Sequence, residues 1–334
     1  MVAPVLNFNM TSVRVASAAG VGGILFLGAA PPPSDLAGEL RSNLASGPPN
    51  PSPLVMADQE GGGVERLGDA VPSMPWPRVM AETMTPQEVQ VLATRVGRSM
   101  LQLGVDMNLA PVLDVDAGSG PSAADADGLR SFSADPSTAA LYGVSFMHGT
   151  QDGGVVPVVK HFPGLGGSSG NTDYGPATTP PLSTLQTAGL IPFRAAIAQG
   201  APAVMVANAS VPGLTALPAS LSPSAIDGLL RHDLGFQGLV LTDSLSAGAI
   251  SQSGYTVPEA AVAAVSAGAD MILFGSTISP AQTALLSPAN LSTTVNLIVG
   301  ALVTATAKGT LPVARLDTAV SHVLAVKHVD LCRG

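Results

Sequence analysis

Eight short apolar runs rich in β-branched residues punctuate the chain, near 3–9, 22–28, 53–57, 105–115, 155–160, 202–207, 238–242 and 270–275. Each is apolar almost throughout, the pattern of a strand covered on both faces in a parallel sheet. Segments of helical periodicity separate most of them, as at 86–103, 137–151, 183–199 and 258–267. Pro86 suits the first turn of its helix with Thr85 as the N-cap, and Gly268 suits a helix stop before the last strand. Eight strands alternating with helices over 334 residues predict a single-domain (β/α)8 barrel of the TIM type, with a doubly wound open sheet as the structural runner-up. The Pro-rich stretches 31–35 and 47–53 read as loops flanking a short helix, and no internal repeat is visible.

Composition narrows the function classes. Hydrophobic residues make up 46% of the chain and charged residues 11%, yet no run nears the ~18 unbroken apolar residues of a spanning helix. No transmembrane segment is therefore expected. A net charge of −9, with Lys160, Lys308 and Lys327 as the lysines, makes nucleic acid and anionic membranes poor partners. Cys332 stands alone and forms no internal disulfide, so it says little about redox compartment. The first ten residues lack the basic start and cleavage site of a signal peptide. The Ala, Gly, Pro, Ser and Thr content suggests a cell-envelope or secreted location, with the cytoplasm as the alternative.

In a barrel, the residues that end each strand converge on one mouth. Here they collect acids, amides and a few cations. The third run ends in Asp58, Gln59, Glu60 and three glycines, with Arg66 beyond; the fourth ends in Asp114, Val115 and Asp116, followed by a long loop to Arg130. The fifth ends in Lys160–His161 and opens into a Gly/Ser/Asn loop carrying Asp173; the sixth and seventh end in Asn208 and Asp243. Bland readings stand beside functional ones. Asp58 suits a turn or N-cap, at least one of Asp114 and Asp116 suits a structural role, and Arg130 suits either a surface ion pair or hydroxyl binding. Lys160 would depress the pKa of His161, which favours a neutral hydrogen-bonding role over a general base. Asp243 is the strongest candidate, since burying a carboxylate at the end of GLVLTD is costly without a purpose.

Other chemistries are excluded at this stage. GLGGSSG lacks the third glycine and helix start of a dinucleotide loop, and QEGGG lacks the Lys-Ser/Thr of a phosphate loop. The histidines at 148, 161, 232, 322 and 328 are scattered, so no metal site is expected. No Gly-x-Ser-x-Gly elbow is read either, which removes the common serine-hydrolase class.

ADQEGGGVERL (57–67), NLAPVLDVD (108–116), RSFSADP (130–136), KHFPGLG (160–166), LPASLSPSAIDGLLRHDLGFQG (217–238), VLTDSLS (240–246) and AGADMILF (267–274) occur in that order. With these pieces the chain resembles glycoside hydrolase family 3, in its single-domain β-N-acetylglucosaminidase branch. The resemblance implies one barrel domain over 1–334, retaining hydrolysis of terminal β-linked N-acetylglucosamine, no cofactor, a small carbohydrate as partner and a monomer. Peptidoglycan fragments are the substrate class it suggests. Carried over by position, it implies Asp243 as nucleophile and Asp58, Arg66, Arg130, Lys160 and His161 as ligands of the sugar hydroxyls. The chain departs from the family where a His-Gly and then an Asp-Ser-His triplet follow KHFPG. Leu165 replaces the first His, and the triplet reads Asn171-Thr172-Asp173. Asp173 thus occupies the column of the family's proton-transferring His and is expected to act as acid/base. The alternatives are a catalytically impaired sugar-binding homologue and a β-glycosidase for another sugar.

Overall fold

The computed structural model describes residues 1–47 and 51–329. Part of the 47–53 stretch and Cys332 therefore lie outside the described residues. Eight parallel strands close into a barrel: β1 (Val2–Leu6), β2 (Gly23–Leu27), β3 (Leu54–Ala57), β4 (Met107–Asn108), β5 (Val156–Phe162), β6 (Ala203–Val206), β7 (Leu239–Ser244) and β8 (Met271–Leu273). All eight apolar runs become strands, and the open-sheet alternative falls with the closure. Five residue pairs register β1 on β2, whereas one pair, Val2 with Leu273, joins β1 to β8. Continuous apolarity has the predicted cause. One set of side chains, including Val2, Leu25, Met56, Met107, Val158, Met205, Leu241 and Met271, fills the barrel. The other set packs under the surrounding helices.

The helices follow the predicted periodicity with one exception. Pro86–Gln102 starts at a capping box between Thr85 and Glu88, and Val257–Ser266 starts at a second one between Thr256 and Glu259. Gly268, at φ +111°, ends the latter as expected. The segment expected as one helix over 183–199 is two, Leu182–Thr187 and Leu190–Ala198. The break at Ala188–Gly189 lets the chain pack closely on Gly164, at the root of the loop after β5. The helix Pro288–Ala307 is long and apolar enough by composition to cross a membrane. It instead lies in the outer layer of the barrel, against the Met10–Ala18 and Val257–Ser266 helices, with Leu291, Val295 and Ile298 buried.

At the end of the barrel opposite the mouth, Asp270 is fully enclosed and bound by three side chains. Arg231 and His322 reach its Oδ2 at 2.7 and 2.9 Å, and Arg315 reaches its Oδ1 at 2.5 Å. Arg315 and His322 belong to the helix Val313–Val326, so the clamp fastens that helix to the start of β8.

Candidate active site

A pocket of about 300 Å³ opens at the C-terminal ends of the strands, floored by Leu25, Leu109, Met205 and Leu273. All seven residues singled out from the sequence line it: Asp58, Arg66, Arg130, Lys160, His161, Asp173 and Asp243. They come from β3, β4, β5, β7 and the loops that follow, which explains how positions 185 residues apart face one cavity (58 to 243).

Charge pairs order one wall. Lys160, 2% exposed, sends Nζ to Asp58 Oδ1 at 2.7 Å and to Glu60 Oε1 at 2.6 Å. Arg130 grips Glu60 with both arms of its fork, Nε and Nη2, each at 2.8 Å, and donates Nη1 to the Ala126 carbonyl. Arg130 therefore pairs with a buried acid, not a surface one. Burial opposes the charge on Glu60, but Arg130 and Lys160 outweigh it and hold the carboxyl far below its usual range. Burial likewise opposes the charge on Lys160, and Asp58 and Glu60 reverse the effect and raise its pKa. Glu60 was not singled out from the sequence. Its place beside Asp58 at a strand end was the available signal, but its partner Arg130 lies 70 residues away.

His161 lies behind this wall, with Nδ1 2.7 Å from Asp114 Oδ2. Its pKa is pushed down to about 4, first by burial and then by Arg130, with Lys160 a smaller contributor. The expected neutral state is supported, but its main cause is burial, not Lys160. Asp114 also accepts the backbone N–H groups of His161 and Leu165, and Asp116 accepts those of Gly118 and Gly167. Both acids thus brace the loops of the mouth. Arg78 joins them, donating to the carbonyls of Asp116, Gly128 and Ser131. Asp127, also missed in the sequence, is 1% exposed, and neither carboxylate oxygen has a hydrogen-bond partner.

Asp243 ends β7 partly exposed to the pocket, with Oδ1 accepting the Ser244 N–H at 2.6 Å. Burial raises its pKa, and the negative charge of Asp173 raises it further. Asn208 supports this strand end, donating to the Ser244 carbonyl at 2.7 Å while accepting from Ser220.

Asp173 lies on the Gly/Ser/Asn loop after β5, and that loop is pinned at several points. Asn171 Oδ1 accepts the Asp173 N–H at 3.0 Å, and its Nδ2 donates to the Ser122 carbonyl. The Asp173 carbonyl accepts the N–H of Gly248, and the Tyr174 carbonyl accepts from Gln252. Burial raises the pKa of Asp173. The exclusion of a Gly-x-Ser-x-Gly spelling needs correcting, because Gly166 to Gly170 reads GGSSG. Ser168 nevertheless sits in the middle of this loop, with its hydroxyl turned onto the Gly170 carbonyl at 2.9 Å, so no strand-to-helix elbow forms. Leu165 is buried with Ala126, Ala207 and Ala209, an apolar patch on the pocket wall.

Comparison with known proteins gives the family. The model of the glycosyl hydrolase family 3 N-terminal domain matches residues 1–326. Beta-hexosaminidase LpqI of Mycobacterium tuberculosis is 38% identical over 315 residues, which cover 92% of this chain and 76% of that protein. A beta-hexosaminidase of Stenotrophomonas maltophilia is 34% identical over 242 residues, 70% of each chain. Among solved structures, a family 3 glycosyl hydrolase from Mycobacterium smegmatis superposes with a TM-score of 0.84 at 36% identity, covering 97% of this chain and 94% of that one. A family 3 β-N-acetylglucosaminidase from Paenibacillus sp. gives 0.85 at 32% identity, covering 98% and 60%. With a closed barrel, a polar pocket at its C-terminal mouth and a family match along almost its whole length, the chain belongs to glycosyl hydrolase family 3 and is a glycosidase.

Proposed function

We propose that this chain is a retaining β-N-acetylhexosaminidase, acting through one barrel domain to remove terminal β-linked N-acetylglucosamine from cell-wall-type glycans or muropeptides. The observation that carries this reading is the meeting of Asp243 and Asp173 in one pocket with the Asp58–Glu60–Lys160–Arg130 charge net. The hexosaminidase names of the relatives support the sugar, and a cavity of about 300 Å³ suits one terminal ring.

Asp243 attacks the anomeric carbon and forms a glycosyl-enzyme bond. Asp173 gives its proton to the departing oxygen, then takes one from the water that releases the sugar. Two nearby carboxyls oppose each other's ionisation, and the mechanism needs one of them charged and the other protonated. The nucleophile must be ionised, and the Ser244 N–H and the nearby Lys160 charge stabilise the Asp243 anion. The acid must be protonated, and burial raises the pKa of Asp173 in the direction that this role requires. Asp58, Arg66, Lys160 and His161 hold the sugar hydroxyls. Arg130 acts in the same wall through Glu60.

A fluorinated aryl N-acetylglucosaminide tests the nucleophile: peptide mapping should find the trapped sugar on Asp243, and a label elsewhere overturns the assignment. Asp173→Asn tests the acid/base. Loss of roughly 10²–10⁴-fold is expected on an unactivated glycoside, with an aryl glycoside of good leaving group partly spared. Equal loss on both, or no loss, sinks Asp173.

A further inference from the structure

Behind the sugar wall, the carboxylates of Asp114 and Asp127, which the sugar chemistry leaves unused, come together with Nδ1 of His161. His161 Nδ1 lies 2.7 Å from Asp114 Oδ2 and 3.9 Å from Asp127 Oδ1. Among the described residues this trio is where such ligand atoms meet, all within 4.8 Å of one another. Independently, both oxygens of the Asp127 carboxylate are enclosed with no hydrogen-bond partner. An enclosed carboxylate without a partner is costly, and native structures seldom contain one without an ion, a water or a function to explain it. Arg130 does not supply the partner. Its Nη1 is 3.7 Å from Asp127 Oδ1, its hydrogen bond goes to the Ala126 carbonyl, and its other arms hold Glu60.

We propose that Asp114, Asp127 and His161 form a binding site for a divalent cation of the zinc class, directly behind the sugar pocket. One imidazole nitrogen and two carboxylates match that class better than calcium or magnesium, which prefer all-oxygen shells. Ligand atoms on one tetrahedral ion at ~2.1 Å stand about 3.4 Å apart, between the two distances seen here. Side-chain shifts bring the three groups onto one ion, which leaves a fourth position for water. Proton balance is simple. The neutral imidazole moves its N–H from Nδ1 to Nε2, and any proton on the carboxyls leaves to solvent. Two carboxylates then neutralise the ion. Binding of the ion does not depend on which reaction the pocket performs. Because the His161 ring also lines the pocket, occupancy turns its pocket-facing nitrogen into a fixed donor.

The test uses zinc alone, titrated by calorimetry into chelator-treated protein, beside Asp127→Asn. Asparagine keeps the shape, removes the charge and leaves the ring and Asp114 in place. The expected result is one equivalent bound by the native chain and affinity weakened roughly tenfold or more in the variant. Proton release should appear as a dependence of the binding heat on buffer ionisation enthalpy. No binding by the native chain, or equal binding by Asp127→Asn, overturns the proposal; the first result makes Asp127 a carboxyl that simply keeps its proton. Should the variant not fold, zinc-soaked crystals decide. An anomalous peak between the three side chains supports the site, and its absence there overturns it.

Discussion

Asp173 and Asp243 carry the same functional group and are asked to do opposite things, so the pH profile separates them. Asp243 must be ionised, and activity falls on the acid side as it takes up a proton. Asp173 must be protonated; its pKa lies above the free carboxyl value, so its contribution persists upward and is lost as pH rises through that raised pKa. In Asp173→Asn, assayed on an activated aryl glycoside, the alkaline limb of kcat/KM should vanish while the acid limb remains. An unchanged alkaline limb would assign it to another group. Glu60 makes a second prediction. Glu60→Gln leaves Arg130 and Lys160 enclosed without their shared counter-ion, and denaturant unfolding should show a loss of about 3–5 kcal/mol. Asp243 was legible in the sequence because a carboxylate at the end of an apolar run stands out by itself. Glu60 and Asp127 were not, because Glu60 matters through Arg130, 70 residues away, and Asp127 through an enclosure that only the fold creates.

At the level of elements, the hairpin Gln59–Gly61/Val64–Glu65 shows how a run of glycines becomes a wall of the site. Gly62 adopts φ +59°, and a Cβ there would lie 2.1 Å from Cδ2 of Trp76, whose ring covers the tip. Gly62→Ala must therefore strain the turn and displace the indole from the hairpin that carries Glu60. A stability loss of at least about 1–2 kcal/mol and a raised KM are expected, read by thermal melting and steady-state kinetics. Removing a helix start is a milder change. Thr85→Ala breaks the capping box with Glu88 and should cost about 1 kcal/mol without altering KM. The Thr85 cap was readable from local spelling, as were the strands. The split between Thr187 and Leu190 was not, because the break is explained by contact with Gly164, not by any residue inside the predicted helix.

For the whole molecule, the two ends of the barrel divide the labour. The mouth carries chemistry, and the Asp270 clamp at the far end carries stability. Asp270→Asn leaves Arg231 and Arg315 without their common acid and loosens the Val313–Val326 helix. The expected loss is about 3–5 kcal/mol in unfolding, with KM unchanged. A changed KM would mean that the two ends communicate. The alternation of strands and helices was legible because it repeats along the chain; the clamp was not, because its members lie in three separate segments.

The uneven registry around the ring has a consequence for motion. β1 is zipped to β2 by five pairs but meets β8 at one, so the cylinder has a seam. Brief opening should begin there, and backbone amides around Val2 and Leu273 should exchange with deuterium ahead of those in β6 and β7. The same seam joins an early strand to the last one synthesised. A nascent chain must therefore hold β1 without one of its neighbours until nearly all the other strands have emerged, and closing the ring is the latest step of its folding.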